Sequence, residues 1–169
     1  MNYLKKFKGQ GVALPPKVKF QNILFSSFGG FIAIVIIGYL TKSYDSLLVM
    51  GSFGASCVLL FGFPKSPFSQ PRNVIFGHLF STFIGLFFLH FVGNEWWSMA
   101  LALAFALGIM IATRTVHPPA GSNPLIVFLL GASWEYLIFP CLVGSIILVL
   151  VALFYNNLSK KISYPEYWY

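Results

Sequence analysis

Between Phe20 and Ser159 only seven side chains carry a formal charge: Lys42, Asp45, Lys65, Arg72, Glu95, Arg114 and Glu135. They divide the stretch into charge-free intervals 20–41, 46–64, 73–94, 96–113, 115–134 and 136–159, of 22, 19, 22, 18, 20 and 24 residues. A helix crosses the roughly 30 Å hydrocarbon layer in about 20 apolar residues, so each interval crosses or nearly does. Only helices and closed barrels satisfy their backbone inside lipid, and continuous apolarity in place of alternation excludes the barrel. The chain is therefore expected to be an all-α membrane protein with six membrane segments.

With 57% hydrophobic and 9% charged residues, against about 25% charged in a soluble domain, the chain cannot cover a water-facing surface. Residues 1–19 form a basic tail carrying Lys5, Lys6, Lys8, Lys17 and Lys19, residues 20–159 a single transmembrane domain, and 160–169 a short second tail. The first apolar run is full length with no small-residue cleavage site after it, so it reads as a retained helix. Cys57 and Cys141 fall inside apolar intervals and read as buried free thiols. No metal-ligand spacing, phosphate loop, nucleophile and base pair or paired intramembrane carboxylates stand out. No metal, cofactor or enzymatic activity is expected, and the basic tail reads as a membrane anchor that also suits anionic lipid, with no nucleic-acid partner.

If all six intervals cross with the N-terminus in the cytoplasm, ten basic residues lie inside and only Lys42 outside. Letting the second and fifth intervals dip in and return weakens the bias to seven against four, so six crossings are favoured. Both termini are then cytoplasmic. Tyr39, Tyr44, Trp96, Trp97, Trp134, Tyr136 and Tyr155 gather where headgroup belts are expected.

The second and fifth intervals open on Met50-Gly51-Ser52-Phe53-Gly54-Ala55-Ser56 and His117-Pro118-Pro119-Ala120-Gly121-Ser122-Asn123-Pro124, which disfavour a helix. Each should be part unwound, with half-helices from about Ala55 to Phe63 and Pro124 to Ala132 starting near the midplane and Asn123 as a cap. The chain then divides into two three-segment repeats, about 20–94 and 95–159, each a full, a broken and a full crossing. Because three is odd, the second repeat is inverted, as in transporters that bind substrate where broken helices meet.

A helix N-terminus carries roughly half a positive charge and free amide donors, so two aimed at one point suit a small inorganic anion. The candidate binding residues are Ser52, Phe53, Gly54, Ala55, Ser56, Ala120, Gly121, Ser122 and Asn123, with His78 and His117 as intramembrane ionisable groups that bind the anion or relay protons. For each a plain reading stands beside this one. Phe53 packs, the serines bond their own helix carbonyls, and the histidines bond neighbouring helices. Arg72 and Arg114 read equally as an electropositive mouth or as topology anchors.

Gly51-Ser52-Phe53-Gly54-Ala55-Ser56, Gln70-Pro71-Arg72-Asn73 and Arg114-Thr115-Val116-His117-Pro118-Pro119-Ala120-Gly121 together resemble the HPP family of integral membrane proteins, from Leu47 onward. The resemblance implies nitrite or a related small planar oxyanion as substrate, since chloroplast and cyanobacterial members are assigned to nitrite transport. It also implies four spanning segments, a count that the six-segment reading exceeds by including the broken ones. The lack of an Arg- and Ser-rich transit segment favours a bacterial plasma membrane. The expected protein is a small-anion channel or transporter, and a small, glycine-rich protomer is expected to pair with a copy of itself, most simply as a homodimer. A conduit for a neutral solute and a non-transporting membrane interaction protein are the alternatives.

Overall fold

Pro71, at the first helical position where its missing amide costs nothing, starts the helix on which the rest of the protein is built. The structure is a computed structural model that describes Tyr3, Phe7 and residues 11–44 and 48–168. Lys5, Lys6, Lys8, Asp45 and the Tyr44 side chain lie outside the described residues. Among the described residues every regular element is helical. In chain order these are α1 (Phe20–Tyr44), α2 (Gly51–Cys57), α3 (Pro71–Phe87), α4 (Trp96–Ala112), α5 (Asn123–Leu130) and α6 (Val143–Asn156).

Wider π turns extend α2 through Val58–Gly62, extend α3 through Phe88–Val92, and lead into α6 at Ile138–Leu142. A 3-10 turn, Pro118–Ser122, leads into α5. Among the described residues three stretches are long and apolar enough to cross a membrane: Phe20–Ser43, Pro71–Val92 and Trp134–Asn156. Gly51–Gly62 and Trp96–Ala112 are shorter apolar helices. The protein is thus an all-helical integral membrane protein.

Helix α3 lies at the centre, with α4, α5, α6 and the Pro118–Ser122 turn packed on it, while α1 leans on α6 and on the turn after α2. Leu60, Leu86, Val127 and Leu148, drawn from four of these elements, meet in the apolar core with no exposed surface. Tyr155 belongs to this interior and not to a headgroup belt. It stacks on Phe25 with ring centroids 4.6 Å apart, and its hydroxyl donates to the Phe25 carbonyl at 2.8 Å, tying α6 to α1. The aromatic-belt reading is corrected at this position.

The two short helices run to opposite ends of the bundle. Phe61 and Phe63, after α2, share a cleft with the start of α1 and with Lys160 and Lys161. Ala132, just past α5, accepts a hydrogen bond at 3.0 Å from His90 at the far end of α3. Gly131 closes α5 in the left-handed conformation that favours glycine, at φ 57°. The glycine-rich start of α2 is not unwound as its composition suggested. Helix begins at Gly51, so Ser52 to Ser56 are helical, and residues 48–50 before it are not. Packing on α1, α6 and the Pro118–Ser122 turn outweighs the low helix propensity of two glycines, about 1 kcal/mol each.

Candidate functional site

Spacings of three and four residues place Gly77, His78, Ser81, Thr82 and Gly85 on one face of α3. Segment 115–124 lies against it with almost no space between. A Cβ at Gly77 would stand 2.7 Å from the His117 Cβ and 3.0 Å from the Thr115 carbonyl oxygen, and one at Gly85 would stand 2.8 Å from the Pro124 Cα. Ser81 Oγ donates to the Ala120 carbonyl at 2.6 Å, between these two contacts. Asn73, one turn before Gly77, donates from Nδ2 to the Val116 carbonyl at 2.9 Å. Backbone that cannot bond itself in a helix is thus served by side chains of α3, as lipid burial demands.

This docking brings His117 beside His78, ring centroids 4.9 Å apart, and Ser56 of α2 between them. Ser56 Oγ is 2.9 Å from His78 Nε2 and 2.8 Å from His117 Nε2. His117 Nδ1 is 2.7 Å from the Phe68 carbonyl oxygen, and His78 Nδ1 is 2.9 Å from Asn123 Nδ2. Asn123 Nδ2 also faces the His78 carbonyl at 3.3 Å and Thr82 Oγ1 at 2.9 Å. Ser56, His78, Thr82, His117 and Asn123 have no exposed surface at all.

The partners dictate where the protons sit. A carbonyl only accepts, so His117 carries its proton on Nδ1 and offers Nε2 as an acceptor. The amide of Asn123, oriented by the His78 carbonyl, donates to His78 Nδ1, so neutral His78 carries its proton on Nε2. The chain then has one direction: Asn123 N–H to His78, His78 Nε2–H to Ser56, Ser56 O–H to His117, His117 Nδ1–H to Phe68. A competing contact from Ser56 Oγ to the Ser52 carbonyl is longer, at 3.2 Å. Phe53, fully buried, sets its ring edge against His78 at 5.2 Å between centroids.

The other residues singled out from sequence are placed as follows. Ser52 is buried and its Oγ has no partner, and Asn123 Oδ1 is likewise buried and unpartnered. Gly54 and Ala55 lie on the exposed face of α2, away from the cluster. Ala120 is buried, Gly121 is half-buried, and Ser122 Oγ donates to the Pro119 carbonyl at 2.8 Å. Asn123 does not cap α5 with its side chain, which is turned to His78 and Thr82. Capping one amide is worth less here than serving an otherwise unserved histidine nitrogen.

Arg72 and Arg114 sit at one end of the bundle. Arg72 Nη2 donates to the Thr113 carbonyl at 2.8 Å, where a cation also meets the negative end of α4. Arg114, exposed, holds a positive φ of 57° in the turn that leaves α4. The expectation that no hydroxyl pairs with a base is also corrected, since Ser56 and His117 are within hydrogen-bond reach. The Ser56 oxygen lies inside a helix with His78 on its other side.

Several partners were not singled out from sequence. Thr82 stands four residues after His78, a spacing that could have revealed it. Phe68 and the tail residues Tyr164 and Tyr167 carried no such signal, and Gln70 entered only through the family resemblance. Tyr164, buried, donates from its hydroxyl to the Ser69 carbonyl at 2.9 Å, and burial holds its phenol pKa above the usual value. Asn157 clamps the Tyr164 backbone, accepting its N–H at 3.0 Å and donating to its carbonyl at 2.6 Å. The Glu166 N–H bonds Gln70 Oε1 at 2.8 Å, and Tyr167 reaches the Pro67 carbonyl at 3.2 Å. The tail after α6 therefore straps the loop whose Phe68 carbonyl orients His117. Among the described residues no group of three His, Cys, Asp or Glu side chains is arranged to hold a metal.

Two transmembrane proteins of Dictyostelium discoideum are similar to this chain over its whole length. One is 35% identical over 181 aligned residues, covering 100% of this chain and 58% of its own. The other is 38% identical over 183 aligned residues, covering 100% of this chain and 64% of its own. The chain thus spans less than two thirds of either relative. No solved structure matches. The family described as HPP, transmembrane region, matches residues 15–165, and the chain belongs to the HPP transmembrane family.

Proposed function

We propose that the protein is a channel or transporter for a small oxyanion such as nitrite, held where α2 and α5 begin. The observation that carries this reading is the directed chain Asn123–His78–Ser56–His117, placed with no exposed surface inside the bundle. Ionisable groups in a membrane interior are costly, and they mark ion or proton pathways. Beside the chain, Ser52 Oγ is an unused donor and Asn123 Oδ1 an unused acceptor, a pair suited to an anion and a proton that accompanies it. A proton added to the chain leaves a histidine charged, which favours an anion beside it.

The finer topology belongs to the same proposal: six membrane segments as two inverted three-segment repeats, with both termini cytoplasmic. The opposed courses of α2 and α5 support it, as does the gathering of Lys65, Arg114, Lys160 and Lys161 at one end of the bundle. A homodimer completes it, to be read from crosslinking in native membranes. Both curated relatives come from a eukaryote, so the reading is made for cellular membranes, with the bacterial plasma membrane as its narrower form.

The test is flux into liposomes containing only this protein, with nitrite, nitrate, formate, chloride and urea compared. Nitrite entry above that of protein-free liposomes is expected, and equal entry discards the proposal. Urea entering in preference to the anions supports a neutral-solute conduit. A different observation favours a non-transporting role, namely that both histidines and the Ser56 hydroxyl have protein partners and no exposed surface, as polar glue between helices would. Full cellular function after Ser56→Leu supports that second reading.

A further inference from the structure

At the basic end of the bundle α1 begins, while α6 and the turn after α2 both end. Between the three lies a cleft of about 850 Å³. Lys65, Lys160 and Lys161 line it, with Gln21 and Asn22 facing them from the first turn of α1. Phe25, Phe61, Phe63 and Ile162 form its apolar wall, and among the described residues no acidic side chain lines it. A second groove, of about 390 Å³, runs along the same α1–α6 seam deeper in the bundle. Its lining includes Ile32, Ile36, Ile147, Leu150 and Phe154 and is almost wholly apolar. Leu158 of this groove is the chain neighbour of Ser159 in the basic cleft. Ile32 lies seven residues past Phe25 on α1, about 10 Å deeper.

A basic head site followed by an apolar groove along one helix seam has the polarity of a lipid. We infer that the cleft holds the headgroup of an anionic phospholipid, its phosphate among Lys65, Lys160 and Lys161 and an acyl chain laid along the α1–α6 groove. Each lysine near a lipid phosphate contributes to attraction in the manner of basic clusters beside membrane helices. The protein's own Lys17 and Lys19, which flank the cleft in sequence, have the same sign and cannot neutralise it. The zwitterionic headgroup of phosphatidylcholine offers no net charge to match three ammonium groups. The site is independent of the anion-conduction reading, and a negative flux result leaves it standing.

The experiment is native mass spectrometry and thermal melting of the full chain in detergent, titrated with phosphatidylglycerol, phosphatidylcholine or inorganic phosphate. Saturable retention of phosphatidylglycerol with a rise in melting temperature is expected, with phosphatidylcholine retained at least about tenfold more weakly. The triple variant K65Q/K160Q/K161Q is expected to lose that preference. Lys42→Gln, at the other end of α1, is expected to keep it. Leu150→Trp, which fills the groove and leaves the lysines in place, is expected to weaken lipid retention by itself. Equal retention of the two lipids, or an undiminished preference in the triple variant, overturns the inference. Saturation by inorganic phosphate alone, with phosphatidylglycerol adding nothing, also overturns it in favour of a free-anion site.

Discussion

Ser56 Oγ lies 2.8 Å from Nε2 of His117, a residue 61 positions later in the chain, and this hydrogen bond joins α2 directly to the segment leading into α5. The contact exists because Gly77 lets His117 sit against α3 and because Ser56 is on the inward face of a helix that starts at Gly51. With His78 on its other side, the hydroxyl both accepts and donates. Removing it leaves two imidazole nitrogens without partners in a place that water does not reach.

Ser56→Ala is therefore expected to destabilise the protein by about 1–3 kcal/mol, the cost of buried groups left unsatisfied. The melting temperature in detergent measures it. His117→Gln and His78→Gln are expected to abolish the pH response of nitrite flux, because the directed chain is cut in either variant. A pH profile identical to that of the wild type in both would remove the histidines from the pathway.

The same geometry invites a serine-hydrolase reading, and a chemical probe distinguishes the two. An active-site fluorophosphonate is expected to leave the purified protein unlabelled in membranes, since Ser56 is fully buried and flanked by two rings. Stoichiometric labelling that disappears in Ser56→Ala would establish a reactive hydroxyl and replace the transport proposal.

Much of this architecture was legible in the residues. Charge-free intervals mark the helices because a bilayer tolerates nothing else, and the Pro118-Pro119 step marks an irregular place. Gly77, Ser81 and Gly85 were legible in principle as small residues four apart, the spacing that lets a helix accept backbone at close range. Helix propensity misled at Gly51–Ser56, where packing decides. Asn123 was misread as a cap because its spacing to Pro124 is local, whereas its partners are 41 and 45 residues away. Tyr155 and Tyr164 were illegible for a similar reason. A tyrosine near a helix end is as much at home in a headgroup belt as in a core, and only the position of Phe25 or Ser69 decides between them.

The strap formed by Tyr164 should matter beyond its own residue. Tyr164→Phe keeps the ring and removes only the donor to Ser69, so a loss of about 1 kcal/mol is expected. Asn157→Ala, which frees the backbone on both sides of the ring, should cost more. The raised pKa of the buried phenol gives a pH signature. Its contribution is complete below about pH 10, the ordinary value, and is lost as pH rises above it, because the unfolded chain ionises first. Alkaline melts of wild type and Tyr164→Phe should therefore converge, and melts that stay parallel above that pH would show that the phenol is not held in the folded protein.

Two glycine-to-alanine changes test the close approach of α3 to His117 with the chemistry held constant. In a helix interior the change favours folding by up to about 1 kcal/mol when the new methyl group meets nothing. Gly108 of α4 is such a place, with nothing within 4 Å of a built Cβ, so Gly108→Ala is expected to be neutral or stabilising. At Gly77 the same methyl group would stand 2.7 Å from the His117 Cβ and 3.0 Å from a backbone oxygen, neither of which is a flexible side-chain end. Segment 115–117 must then move away from α3, at a cost of about 1–3 kcal/mol for overpacking. That displacement carries His117 Nε2 out of reach of Ser56. Gly77→Ala should accordingly lower the melting temperature and flatten the pH dependence of flux together, while Gly108→Ala does neither. A Gly77→Ala protein that melts like wild type would mean that α3 and the His117 segment are not in contact in the membrane.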